Sequence, residues 1–197
     1  LKRIGVFGGA FNPVHTAHLI VAEEVRQQMH LNKVLFIPYS NPPHKQANEL
    51  LQDKHRINMI NLAIQENDYF ESSDCEIKRG KTSVNYTVDT LLHLREAYSS
   101  DQVKFYLIIG IDNLIELDSW KKPEKLFTLS EVVVINRPGY LIHNVENEYY
   151  RKVTFVPALH VDISSSDIRN RIREKRSIKY LVPLAVEKYI LDNNLYA

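Results

Sequence analysis

The chain has 197 residues, 44% of them hydrophobic and 25% charged, a size and balance that buries roughly 70% of the open-chain surface without disulfides or a structural metal. Lys and Arg total 25 against 24 Asp and Glu, and a net charge of +1 argues against a nucleic-acid binder that relies on bulk electrostatics. Cys75 is the single cysteine, which excludes a disulfide framework and any multi-cysteine zinc site, and the longest apolar run, 106–111, is far too short to span a bilayer.

Residues 2–7 form a short apolar run stopped by Gly8-Gly9 and predict a buried strand. Residues 14–30 carry Val14, Ala17, Val21, Val25 and Met29 at helical spacing, and 33–39 reads as a strand ended by the Pro42-Pro43 loop. A helix is expected over 50–65, a strand over 70–77 and a helix over 84–98. Strands follow at 103–109 and 131–136, separated by short helical segments near 113–118 and 123–129. A strand at 153–156 and helices at 165–174 and 183–192 close the chain.

Strands alternating with helices imply an α/β fold, a doubly wound and mostly parallel sheet flanked by helices. One domain spanning 1–197 is expected, with the helices from about 165 packing as a small helical appendage. In such sheets ligands bind beyond the carboxyl ends of strands, near a reversal of strand order. Attention therefore falls on the loops after Phe7, Tyr39, Ile109 and Asn136.

The first of these reads Gly8-Gly9-Ala10-Phe11-Asn12-Pro13-Val14-His15-Thr16-Ala17-His18. Adjacent glycines permit positive φ and close approach of a ligand, and the helix that follows offers unpaired N–H groups suited to phosphate. His15 and His18, spaced i, i+3, can share one face and donate to phosphate oxygens. The plainer alternative is a tight turn bearing two surface histidines. Near the other end stands Ile163-Ser164-Ser165-Ser166-Asp167-Ile168-Arg169. One serine suffices for a helix cap, so three with Arg169 in the first turn suggest a polyphosphate cradle. No GxGxxG, GxxxxGK, GxSxG or HExxH spacing is present.

Together the two segments resemble the (T/H)xGH and distal Ser–Arg motifs of the nucleotidylyltransferases, and the resemblance spans nearly the whole chain. Within that superfamily the chain is most similar to the bacterial nicotinate mononucleotide adenylyltransferases. Asn85-Tyr86-Thr87-Val88-Asp89-Thr90-Leu91, Gly110-Ile111-Asp112-Asn113-Leu114 with Trp120, and Pro42-Pro43-His44-Lys45 each resemble a segment of that family. The chain departs from the pattern at Ala17, where Gly is usual, and at Asn12, where Asp is usual.

The resemblance implies AMP transfer from ATP to nicotinate mononucleotide, with His18, His15 and Lys45 in catalysis. It implies that Gly8, Gly9, Ala10, Phe11, Ser164, Ser165, Ser166, Arg169, Gly110 and Asp112 bind ATP. Lys45, Asn85, Tyr86, Thr87, Trp120 and Arg137 are implied for the mononucleotide. Mg²⁺ is expected to arrive on ATP rather than in a cage of protein side chains. A cytoplasmic enzyme is expected, with small-molecule substrates, no nucleic-acid or membrane partner, and a homodimer as one open option. Other nucleotidylyltransferases, the phosphopantetheine adenylyltransferases among them, and a non-catalytic nucleotide-binding module are the competing readings.

Overall fold

Six strands form a single sheet in the order β3-β2-β1-β4-β5-β6, every neighbouring pair parallel. They are β1 (Lys2–Gly9), β2 (Lys33–Pro38), β3 (Phe70–Ser72), β4 (Val103–Gly110), β5 (Glu131–Asn136) and β6 (Thr154–Pro157). The computed structural model describes residues 1–40, 50–79, 84–98, 102–136, 148–159 and 161–197. Helices α1 (Thr16–Gln28), α2 (Asp53–Ile64), α3 (Cys75–Lys78), α4 (Thr87–Ala97), α5 (Ile111–Ile115), α6 (Pro123–Leu129), α7 (Ser165–Arg173) and α8 (Leu184–Asp192) complete it.

Alternation along the strands builds two cores, one on each face of the sheet. Val34, Phe36, Tyr106, Ile108, Val133 and Ile135 point to the face covered by α1, α2, α7 and α8. Ile4, Val6, Leu35, Ile37, Leu107 and Val134 point to the face covered by α4, α5 and α6. Ile168 of α7 and Val186 and Ile190 of α8 are fully buried in the same cluster as Val14, Ala22 and Met59. The last helices therefore share the apolar layer of α1 and α2.

The expected strand at 70–77 is shorter than its sequence suggested. It ends at Ser72, and Cys75–Lys78 is a helical turn. Register explains the change: Phe36 pairs with Ser72, and two residues further β2 reaches Pro38, which has no N–H for a ladder. Helix α1 begins two residues later than its apolar spacing implied, because residues 10–15 form the turn described below.

Strand order reverses between β1 and β4, so their carboxyl ends, Gly8-Gly9 and Gly110, flank the switch point of the sheet.

Candidate active site at the sheet switch point

The turn that leaves β1 is held by its carbonyls. Gly9 O accepts from Tyr39 N–H at 2.9 Å, and Ala10 O from the Arg56 guanidinium at 2.8 Å. Asn12 O accepts from Arg169 at 2.8 Å, and Pro13 O from the Ser165 hydroxyl at 2.8 Å. The Asn12–Pro13 peptide is cis.

The glycine pair works by its lack of side chain rather than by positive φ. A Cβ on Gly8 would lie 3.0 Å from the Tyr39 ring, and one on Gly9 would lie 2.9 Å from the Phe11 ring. Positive φ falls instead on Phe11, at 45°, whose ring is buried edge-on to Phe7 with centroids 5.7 Å apart. Gly110 differs: a Cβ there would meet nothing nearer than Asn113 Nδ2 at 4.0 Å. That glycine borders open space.

His15 is the N-cap of α1 and is buried, while His18 sits one turn on. Their rings stack with centroids 3.6 Å apart, and Phe11 packs against His18 at 5.0 Å. His15 N–H donates to His18 Nδ1 at 3.2 Å. A backbone N–H can only donate, so that nitrogen carries no proton and the neutral ring carries it on Nε2. His18 thus offers an Nε2–H donor with its orientation fixed by the main chain. The first N–H groups of α1 are less free than expected, since Thr16 N–H donates to Leu181 O and His18 N–H to His15 O, each at 2.9 Å.

A cavity of about 280 Å³ opens beside these rings, lined by His15, His18, Gly110, Asp112, Asp162 and Ser164 among others. A second, of about 50 Å³, is lined by Gly8, Tyr39, Glu76, Thr87, Thr90 and Trp120 among others. Phe7 and Asn113 border both, so the two spaces adjoin across the ends of β1 and β4.

The structure brings His15, His18, Gly110, Asp112 and Ser164 to one cavity, and Gly8, Thr87 and Trp120 to the other. The serine cluster is already engaged: Ser164 caps α7 by accepting from Asp167 N–H at 3.0 Å, Ser165 holds Pro13, and Ser166 accepts from Arg169 at 3.2 Å. Ala10, Phe11, Ser165, Ser166 and Arg169 border neither cavity and instead build or brace the turn. Asn85 is buried and accepts from Ser40 N–H at 3.2 Å, and Tyr86 lies under Lys121, whose Nζ is 4.3 Å from its ring centroid. Lys45 and Arg137 lie outside the described residues.

A cytidylyltransferase-like family profile matches residues 6–171. The chain is 40% identical to a probable nicotinate-nucleotide adenylyltransferase of Geotalea daltonii, over 98% of each chain. It is also 40% identical to one of Streptococcus pyogenes serotype M1, over 99% of this chain and 89% of that protein. The chain belongs to the nicotinate-nucleotide adenylyltransferase family. The fold agrees with the solved Plasmodium falciparum nicotinic acid mononucleotide adenylyltransferase complexed with NaAD, at a TM-score of 0.80 and 22% identity over 100% of this chain and 98% of that one.

For a nicotinate-nucleotide adenylyltransferase, several of the residues around the switch point carry no sequence signal. Arg56 is fully buried, donates to Ala10 O and Leu51 O, and pairs with Asp53. Helical spacing gave its position on α2 but nothing marked it as facing inward. Glu76 is buried beside the smaller cavity, taking a 2.7 Å hydrogen bond from Thr90, and burial pushes its carboxyl above the usual range. Burial likewise raises the Tyr39 phenol, with the Glu76 charge adding to it.

Among the described residues no three His, Cys, Asp or Glu side chains gather at one point. Asp112 and Asp162, each with carboxylate oxygens, are among the residues that line the larger cavity. Those oxygens fit a hard divalent cation that keeps its waters and its phosphate ligands. No helix among the described residues is long and apolar enough to cross a membrane.

Proposed function

We propose that the chain is a cytoplasmic enzyme that transfers the adenylyl group of ATP to nicotinate mononucleotide, releasing pyrophosphate and forming deamido-NAD. The observation that carries this is the pair of adjoining cavities at the switch point, histidines on one and the Thr87–Trp120 surface on the other. Two substrates held end to end across β1 and β4 meet where Phe7 and Asn113 border both spaces.

In the reaction an oxygen of the mononucleotide 5′-phosphate attacks the α-phosphorus of ATP. A new P–O–P bond forms and the α–β bridge breaks, its electron pair leaving with pyrophosphate. The nucleophile is anionic at neutral pH, so the site needs no general base. It needs alignment and donors aimed at the charge on the α-phosphate and leaving group.

His18 Nε2–H is suited to that task, because the backbone bond to Nδ1 orients the ring before substrate arrives. His15, stacked on it, supplies a second imidazole at the same cavity. Asp112 and Asp162, which line the same cavity, would be the carboxylates available to a Mg²⁺ carried on the triphosphate, and that ion would neutralise phosphate charge. Trp120 and Thr87 serve the pyridine ring by stacking and by the start of α4. On the family resemblance alone, Lys45 is proposed in catalysis and in binding the mononucleotide, and Arg137 in binding the mononucleotide.

The test is pyrophosphate release with ATP and Mg²⁺, comparing nicotinate mononucleotide, nicotinamide mononucleotide and phosphopantetheine as acceptors. A strong preference for the nicotinate form is expected. Release with phosphopantetheine, or with none of the three, overturns the assignment.

A further inference from the structure

The turn that carries the two histidines is gripped from the far end of the chain. Tyr196 OH donates to Asn12 Oδ1 at 2.9 Å across 184 residues of sequence. Four more contacts come from the same stretch: Arg169 on Asn12 O, Ser165 on Pro13 O, Leu181 O to Thr16 N–H, and Tyr180 O to the Thr16 hydroxyl at 3.2 Å. Leu51 N–H also donates to Asn12 Oδ1, at 3.3 Å.

Arg169 and Ser165 belong to a helix packed beside the turn, but Tyr196 reaches it only by a special backbone path. Asn194, just past the end of α8, takes a φ of 48° in the left-handed turn that Asn tolerates, whereas Tyr196 takes 67°, in a region that bulky side chains avoid. Strained backbone of this kind persists where surrounding contacts fix it. Here it folds the tail inward, packing the Tyr196 ring against the α1–α2 core and setting the phenol on Asn12. Burial raises that phenol, which keeps it a donor.

We propose that Tyr196 is a positioning residue for the histidine turn: its hydroxyl holds Asn12, and through Asn12 the path from which His15 and His18 project. The turnover part of this inference rests on the adenylyl-transfer reading; the geometric part does not. Asn12 lies three residues before His15 and six before His18, with both its main-chain and side-chain oxygens held. Loss of the Tyr196 bond removes the hold of the C-terminal end on the Asn12 side chain and loosens the turn there. Small displacements of a group that must meet a reacting phosphate carry large rate penalties.

Tyr196→Phe tests this, because it keeps the ring and removes one oxygen. The expected result is a kcat lower by about tenfold, with KM for ATP and for nicotinate mononucleotide within about twofold. The melting midpoint should stay within about 2 °C of wild type, and the His15 and His18 imidazole ¹⁵N resonances should move. In an Asn12→Ala background, Tyr196→Phe should add no further loss, since its route of action is already gone.

An unchanged kcat, unmoved ring resonances, or a full additional loss in the Asn12→Ala background overturns the proposal. If wild type itself releases no pyrophosphate, the reaction reading fails separately, and the ring resonances alone decide the positioning.

Discussion

On one flank of the switch point, the carbonyls of Gly9, Ala10, Asn12 and Pro13 are held by Tyr39, Arg56, Arg169 and Ser165, and the His15 and His18 rings that follow this turn face about 280 Å³ of space. On the other, Thr87 and Trp120 face about 50 Å³, walled by the Tyr39 phenol and the Glu76 carboxyl. The first space approaches the size of ordinary ligand pockets, whereas the second holds about one or two waters. On the proposed reading one side is already open to its ligand, and the other has to move side chains to admit a pyridine ring. Rigid support suits the flank where charge develops, because donors that need no reorganisation stabilise a transition state most. An adjustable wall suits the flank proposed for the acceptor.

The sharpest way to break this contrast is to remove the prepared side's anchor. Arg56 is fully buried, and its loss takes the guanidinium from Ala10 O and Leu51 O and leaves Asp53 its hydrogen bond from the Ser40 hydroxyl but no cation. Arg56→Met should cost about 3–5 kcal/mol of stability, as removal of one member of a buried pair does. Urea unfolding followed by circular dichroism would measure it, and a midpoint equal to wild type would contradict the anchoring role.

Next in size is His18→Ala. Loss of one oriented donor to developing charge should lower kcat at least ~100-fold, or about 3 kcal/mol, while the urea midpoint stays near wild type. Steady-state pyrophosphate release reads the rate, and unchanged turnover would remove His18 from the mechanism. The Arg56 and His18 variants thus separate the support from what it supports.

Trp120→Ala probes the other flank. Lost stacking is worth about 1–3 kcal/mol, so the acceptor KM should rise roughly 5- to 150-fold with the ATP KM nearly unchanged. Trp120 is also the only tryptophan, so its fluorescence reports this cavity alone. Nicotinate mononucleotide should quench it, and ATP should not. Quenching by ATP alone would place the flanks the other way round.

How far the site was legible follows the same division. The histidine turn announces itself locally, since Gly8-Gly9 and the His15–His18 spacing lie within eleven residues, and strand alternation fixed where that turn sits on the sheet. What holds the turn was not legible. Arg56, Arg169 and Tyr196 reach it from 46, 157 and 184 residues away, and each contact depends on tertiary geometry that no local period encodes. The serine run Ser164–Ser166 suggests a phosphate cradle from its sequence, and in the fold its hydroxyls also serve cap, turn and arginine. A hydroxyl before a helix looks the same in either use. The end of β3 was missed because the limit on it, Pro38, lies on the neighbouring strand.

The smallest effect concerns the carboxyl that walls the acceptor cavity. Glu76 and Glu23 are both helix glutamates, but their environments act in opposite directions. At Glu23 the hydrogen bond from Arg26 leads in holding the carboxyl down, at about 2, so its stabilising charge is present above the ordinary carboxylate range and is lost as pH falls towards that value. At Glu76 burial leads and pushes the carboxyl up, while Thr90 and the charges of Arg79 and Arg56 only partly offset it. The folded state then holds the Glu76 proton more tightly than the unfolded chain does. Its contribution is complete below the ordinary carboxylate range and is lost as pH rises through the raised value. Glu76→Gln keeps an oxygen for Thr90 and cannot ionise. The variant should therefore melt close to wild type at acid pH and somewhat above it at pH 8, in calorimetric scans across that range. A difference that stays constant with pH would mean Glu76 does not ionise in a buried setting, and the contrast between the two flanks would lose its electrostatic part.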